Sequence, residues 1–397
     1  MLLTLGSQVL SAGSSVLLHF LGLRTADTYS VAAQIGLTGF TGVTVGILYN
    51  IAIGRPGFTT WRRWSTVASL VSVTASLVQG AILTGTGFTS SHGVLFVWTV
   101  FIVFGVSGAL IAIAATEGVR EACEGRPMLF ASVTVLPNTG YAVGILAAAV
   151  THELALPAVG WLIGSVALYL VSRRARPGAS EPEVQLRERP EASDAIGSQV
   201  SGLVVGVVSS TFMPMLFLAA LTQLTVGVVY IATLLARIVN ASVALTVNSV
   251  LLVRFNWTDQ ATGLGRTTAV AGTSFVVGML TVVGLKLTGG AAIFTDGVMV
   301  AGWLVGVIAS AIVTRHLNAG RHGRLVLVKS VVELVVTGSA AAALFLVPSF
   351  VGYFACFAVS AALTLVFGGL AFQRRLLVAL GVVGLISCAA VIITGRS

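Results

Sequence analysis

The sequence predicts an all-α polytopic membrane protein of about 12–13 transmembrane helices, arranged as two six-helix lobes related by an internal repeat with an extra C-terminal helix. Scarcity of charge and length of apolar runs carry the prediction. Of 397 residues, 56% are hydrophobic and only 9% are charged, against about a quarter charged in soluble domains. Such a chain cannot cover a globular surface. Its apolar runs are about 20 residues long, enough to cross the hydrocarbon core as helices. The polar–apolar alternation of a membrane β-barrel is absent.

Apolar runs between polar breaks give spans near 2–23, 31–53, 65–86, 93–116, 128–151 and 156–172, then 200–223, 226–253, 267–287, 290–314, 325–347 and 350–371, and a last one near 375–394. Met1 leads straight into an apolar stretch with no basic n-region, so the first span is expected to remain as a helix. The segment RRARPGASEPEVQLRERPEASDAIGS, rich in Pro, Glu and Arg, reads as a flexible linker. The expected organisation is a first lobe over 1–172, a cytoplasmic linker over 173–199, a second lobe over 200–373 and an additional helix and tail over 374–397.

Charge fixes the expected orientation. With the N-terminus in the cytoplasm, only Arg24, Lys286 and Arg396 fall in outer loops and Arg237 within a span. The rest of the 22 Lys and Arg residues, Lys329 among them, fall inside, as the positive-inside rule requires. Net charge is +9, but the basic residues sit between apolar runs rather than on one patch. The expected partners are anionic membrane lipids, and no nucleic acid. Cys123, Cys356 and Cys388 lack CxxC spacing and suit neither a disulfide framework nor a metal site.

The halves share a pattern. Gly125-Arg126 after span four and Gly320-Arg321 after span ten each open an apolar helix, and the halves close at Arg173-Arg174 and Arg374-Arg375. Six spans, a cytoplasmic linker and six spans form the plan of a two-lobed transporter.

Ionisable residues inside a span cost about 2.5–3.5 kcal/mol on insertion scales, so each needs a reason. Arg237 lies about 16 Å along span eight at the α-helical rise. Tyr230, Thr233, Arg237, Asn240 and Asn248 recur there as one polar stripe. Glu333 is the carboxylate deep in span eleven, flanked by Ser330 and Thr337. Two readings are open. Arg237 and Glu333 pair and hold the second lobe together, or Arg237 offers a fixed cation to an anionic head group, its guanidinium forking onto phosphate. Gln8, Ser11, Ser15 and His19 share a face of span one. Span two carries Gln34, Thr38, Thr41 and the series Gly36, Gly39, Gly42, Gly46, which favours close helix packing. Gln8 and Gln34 remain candidates for ligand contact. Pro137 and Pro214 fall inside spans five and seven and predict kinks. No phosphate loop, metal-ligand cluster or nucleophile–base set is present, so no enzyme activity and no cofactor are expected.

The opening GSQVLSAGSSVLLHFLGLRTADTYSVAAQIGLTGFTG resembles the first helical hairpin of the polysaccharide flippases of the multidrug/oligosaccharidyl-lipid/polysaccharide exporter superfamily. VGVVYIATLLARIVNASVALTVNSVLLVRF resembles their eighth helix and LNAGRHGRLVLVKSVVELVV the loop opening their eleventh. The resemblance implies a V-shaped two-lobed bundle carrying polyprenyl-linked glycans across a bacterial cytoplasmic membrane by alternating access. Arg237 would be a cationic cavity residue, and glycan-assembly enzymes at the cytoplasmic face would be partners. The first lobe's spans carry no cationic residue, which counts against lipid II as the substrate, and the first helix has no carboxylate of the kind drug exporters use.

Two other readings compete. A major facilitator transporter would carry an aspartate in the loop after span two, which here reads GRPGFTTWRR. A membrane glycosyltransferase would need acidic residues on sizeable loops, whereas Asp27, Glu153 and Asp296 are isolated on short outer ones.

Overall fold

The structure is a computed structural model. It describes residues 2–49, 60–89, 93–123, 128–174, 193–243, 261–289, 291–319 and 323–394, together with Ala52. Among the described residues, eleven helices are long and apolar enough to cross a membrane, and shorter apolar helices run over Leu10–Leu21 and Val228–Val239. The protein is an all-α polytopic membrane protein. Most of the 173–199 linker lies outside the described residues.

Contacts divide the chain into two compact units, Met1–Glu191 with Thr225–Leu234, and Ala192–Leu224 with Leu235–Ser397. In the first, α1 spans Leu2–Leu17 and tightens into a 3₁₀ turn over Leu18–Leu21. Gly22, at φ 90°, turns the chain directly into α2, Leu23–Gly36. Span two therefore starts eight residues earlier than hydropathy predicts. Arg24, Asp27 and Thr28 read as an outer loop in sequence, yet Thr28 satisfies its hydroxyl on the Arg24 carbonyl and Asp27 is buried. The chain continues as a π-helix over Gly39–Tyr49, within which the Thr44 hydroxyl donates to the Gly39 carbonyl. Then come α3, Trp61–Gly85, α4, Val94–Cys123, a short α5, Met128–Ser132, α6, Val135–Thr151, and α7, Leu156–Arg174.

Glycine makes this packing possible. The Gly39 N–H donates to Ser72 Oγ at 3.1 Å, and a methyl group added at Gly108 would overlap the Gly36 carbonyl oxygen. Here the small-residue series serves helix contact, as span two predicts. Gly108→Val is expected to lower stability by about 1–3 kcal/mol, the usual cost of overpacking. An unchanged melting temperature of the purified protein would count against this contact. Around α4, Tyr29, Phe104, Tyr141 and Trp161 form a buried aromatic cluster with centroids 5.0–6.0 Å apart, and the Tyr29 hydroxyl donates to the Leu154 carbonyl.

The interruption expected at Pro137 is present: the span over Met128–Thr151 breaks at 133–134 and restarts at Val135, which places Pro137 in the first turn of α6, where a missing N–H costs no helical bond. Pro214, by contrast, lies inside a helix.

The second unit holds α8, Ser193–Leu221, α10, Ala261–Thr288, α11, Ala292–Ala319, α12, Gly323–Leu346, α13, Phe350–Ala371, and α14, Arg375–Ile393. Between α8 and α10, α9 covers Val228–Val243 and passes from one unit to the other after Leu234. The core is α13, capped where Ser349 Oγ accepts from the Gly352 N–H and wrapped by α8, α11, α12 and α14. Trp303 meets Phe354 and Phe357 at 5.2 and 5.4 Å. The last helix, α14, packs against both α13 and α10.

Candidate functional site

The polar stripe of span eight begins on α9. Tyr230, Thr233, Arg237 and Asn240 follow one another at spacings that share a helical face. Arg237 is half-buried. Its guanidinium stays charged at any physiological pH and presents five donors in a planar fork. Thr233 is buried and spends its hydroxyl on the Val229 and Tyr230 carbonyls, both at 2.9 Å. Tyr230 is buried and stacks on His19 at 6.3 Å. The Asn240 side chain and all of Asn248 lie outside the described residues. So does the Gln8 side chain, on α1, while Gln34 is half-buried on α2.

The reading that pairs Arg237 with Glu333 is corrected. Glu333 Oε2 accepts from Lys329 Nζ at 2.8 Å, and Oε1 accepts from the Ser360 hydroxyl of α13. Thr337 donates to the Glu333 carbonyl at 2.6 Å and meets Ser209 of α8 at 3.3 Å. Hydroxyls thus join α12 to two neighbours near Glu333, Ser360 of α13 at its carboxylate and Ser209 of α8 at Thr337, which donates to its main-chain carbonyl. Lys329, assigned by charge alone to an inner loop, stands in the second turn of α12. Its spacing of four from Glu333 is the sequence signal that could have found the pair.

Asp27 is the residue that the sequence misplaced furthest. Its Oδ2 accepts from the Gly227 N–H at 2.8 Å and its Oδ1 from the Tyr230 N–H at 2.7 Å. These are the cap and third-position donors of α9. A single carboxylate from another helix does what a capping box needs two side chains to do, at the end of the helix where the dipole favours negative charge. That placement removes Asp27 from the isolated outer acids of the glycosyltransferase reading.

Among the described residues, no group of three His, Cys, Asp or Glu side chains stands close enough to hold a metal ion. Compared with protein-family models, with curated proteins and with solved structures, the chain matches none.

Proposed function

We propose that this protein is a transporter that flips a polyprenyl-(di)phosphate-linked oligosaccharide, or a related lipid-linked glycan, across the bacterial cytoplasmic membrane. It works by alternating access, keeps its N-terminus in the cytoplasm and has no catalytic chemistry of its own. Arg237 carries the reading. A half-buried guanidinium well along a short apolar helix is expensive to insert, and its fork matches the oxygens of a phosphate. Anionic lipids and glycan-assembly enzymes at the cytoplasmic face are the partners this reading implies.

The test is to delete the gene in its host and ask, by labelling accessible only from outside the membrane, which leaflet holds the polyprenyl-linked glycans. Accumulation of one glycan lipid on the cytoplasmic side is expected and names the substrate. An unchanged pool, with no redundant flippase in the host, would replace this reading with a small-molecule transporter of the major facilitator kind.

A further inference from the structure

Four aromatic side chains gather at one end of the first unit. Tyr49, Trp61, Trp64 and Phe130 are partly buried and pack around Leu48, Ala52 and Val119, and the rings of Tyr49 and Phe130 stack at 5.3 Å. Trp64 also packs against Val43, Ala68 and Ala112. Tyrosine and tryptophan collect where hydrocarbon gives way to head groups, because each has an apolar body and a polar tip. Trp61 opens α3, which is long and apolar enough to span a membrane, so this end of the unit stands at head-group level.

Between the two tryptophans lie Arg62 and Arg63. Both are exposed, and among the described residues neither guanidinium has a hydrogen-bond or ion-pair partner. Arg120, by contrast, pairs with Glu117 at 3.3 Å. The arginines do not help the helix they open. A helix start already carries partial positive charge, and no acidic residue stands in this first turn to offset the added cations. From Arg63 the same face of α3 runs on through Val67, Leu70 and Leu77, at helical spacing and exposed at 44, 61 and 43%.

We propose that Arg62 and Arg63, held in place by Trp61 and Trp64, are a docking site for the head group of an anionic phospholipid. A guanidinium meets the oxygens of a phosphodiester through two parallel N–H donors. The apolar track below decides between a lipid and a soluble phosphate. Val67, Leu70 and Leu77 offer an acyl chain a path directly beneath the cations, and a free anion has no use for it. Charge and apolar surface thus match the two ends of one molecule. The site gives residues to the lipid partner of the transport reading above, but lipid retention is measured without transport, so either can fail alone.

The test reconstitutes the full-length protein into vesicles of equal phosphatidylglycerol and phosphatidylcholine, extracts it gently and weighs it intact by native mass spectrometry. The wild type is expected to keep phosphatidylglycerol in preference to phosphatidylcholine. With Arg62→Ala and Arg63→Ala combined, the count of retained phosphatidylglycerol is expected to fall by one, that molecule's affinity dropping roughly thirtyfold. If the double variant does not fold, Arg62→Gln and Arg63→Gln carry the test singly, each with about a fivefold loss. Equal retention of the two lipids by the wild type overturns the proposal. So does a preference that the variants leave unchanged, which would confine the arginines to setting orientation. Displacement of the lipid by inorganic phosphate overturns it in favour of a soluble anion.

Discussion

Replacing Arg237 by alanine is expected to abolish glycan-lipid export while leaving membrane insertion intact. A hydrogen bond to a charged group contributes about 1.5–3 kcal/mol, so losing a two-pronged grip on a phosphate slows transport by at least about a hundredfold. Insertion should not suffer, because removing a charge from a span makes it cheaper to insert. Arg237→Lys keeps the charge but not the planar fork, and its export should fall between wild type and alanine. The leaflet assay reads export, and membrane fractionation reads insertion. Normal export by Arg237→Ala would return this arginine to a structural role and remove the main support for an anionic head group.

The largest loss of stability is expected from Asp27→Ala. Two buried backbone N–H groups, of Gly227 and Tyr230, would lose a charged acceptor. Each unsatisfied donor costs about 1–3 kcal/mol, and the favourable end-charge on α9 goes with them. Asp27→Asn retains one acceptor oxygen for two donors and should recover only part of the loss. Thermal unfolding of the purified variants gives the order wild type, asparagine, alanine. Equal melting temperatures for all three would show that the carboxylate contributes nothing to holding α9.

How much of this was legible in the sequence depends on how far apart the interacting residues lie along the chain. Among the described residues, the long helices from Trp61 onward lie where hydropathy puts them, because a span needs only its own residues to declare itself. Span two failed locally, since Arg24, Asp27 and Thr28 look like loop residues until their partners are known. The partners of Asp27 lie 200 and 203 residues away, and no periodicity connects them. Glu333 was marked by its depth, and Lys329 was visible at a spacing of four but was counted with the loops because charge was used only to set orientation. Ser360, 27 residues from Glu333, is one of many serines, and only packing of α13 on α12 singles it out. The π-helical winding of Gly39–Tyr49 leaves no mark in a pattern whose glycines suit close packing of either winding.

The passage of α9 from one unit to the other bears on whether the halves can be made separately. A fragment that stops in the linker retains Asp27 but lacks Gly227 and Tyr230, whose N–H groups that carboxylate receives. The complementary fragment starts α9 without its cap. A gene split at this point encodes two mutually dependent chains, and each should be recovered intact only when both are synthesised together. Shuffling one half onto a different partner would have to carry residues Thr225–Leu234 along with the first half, although they are encoded within the second.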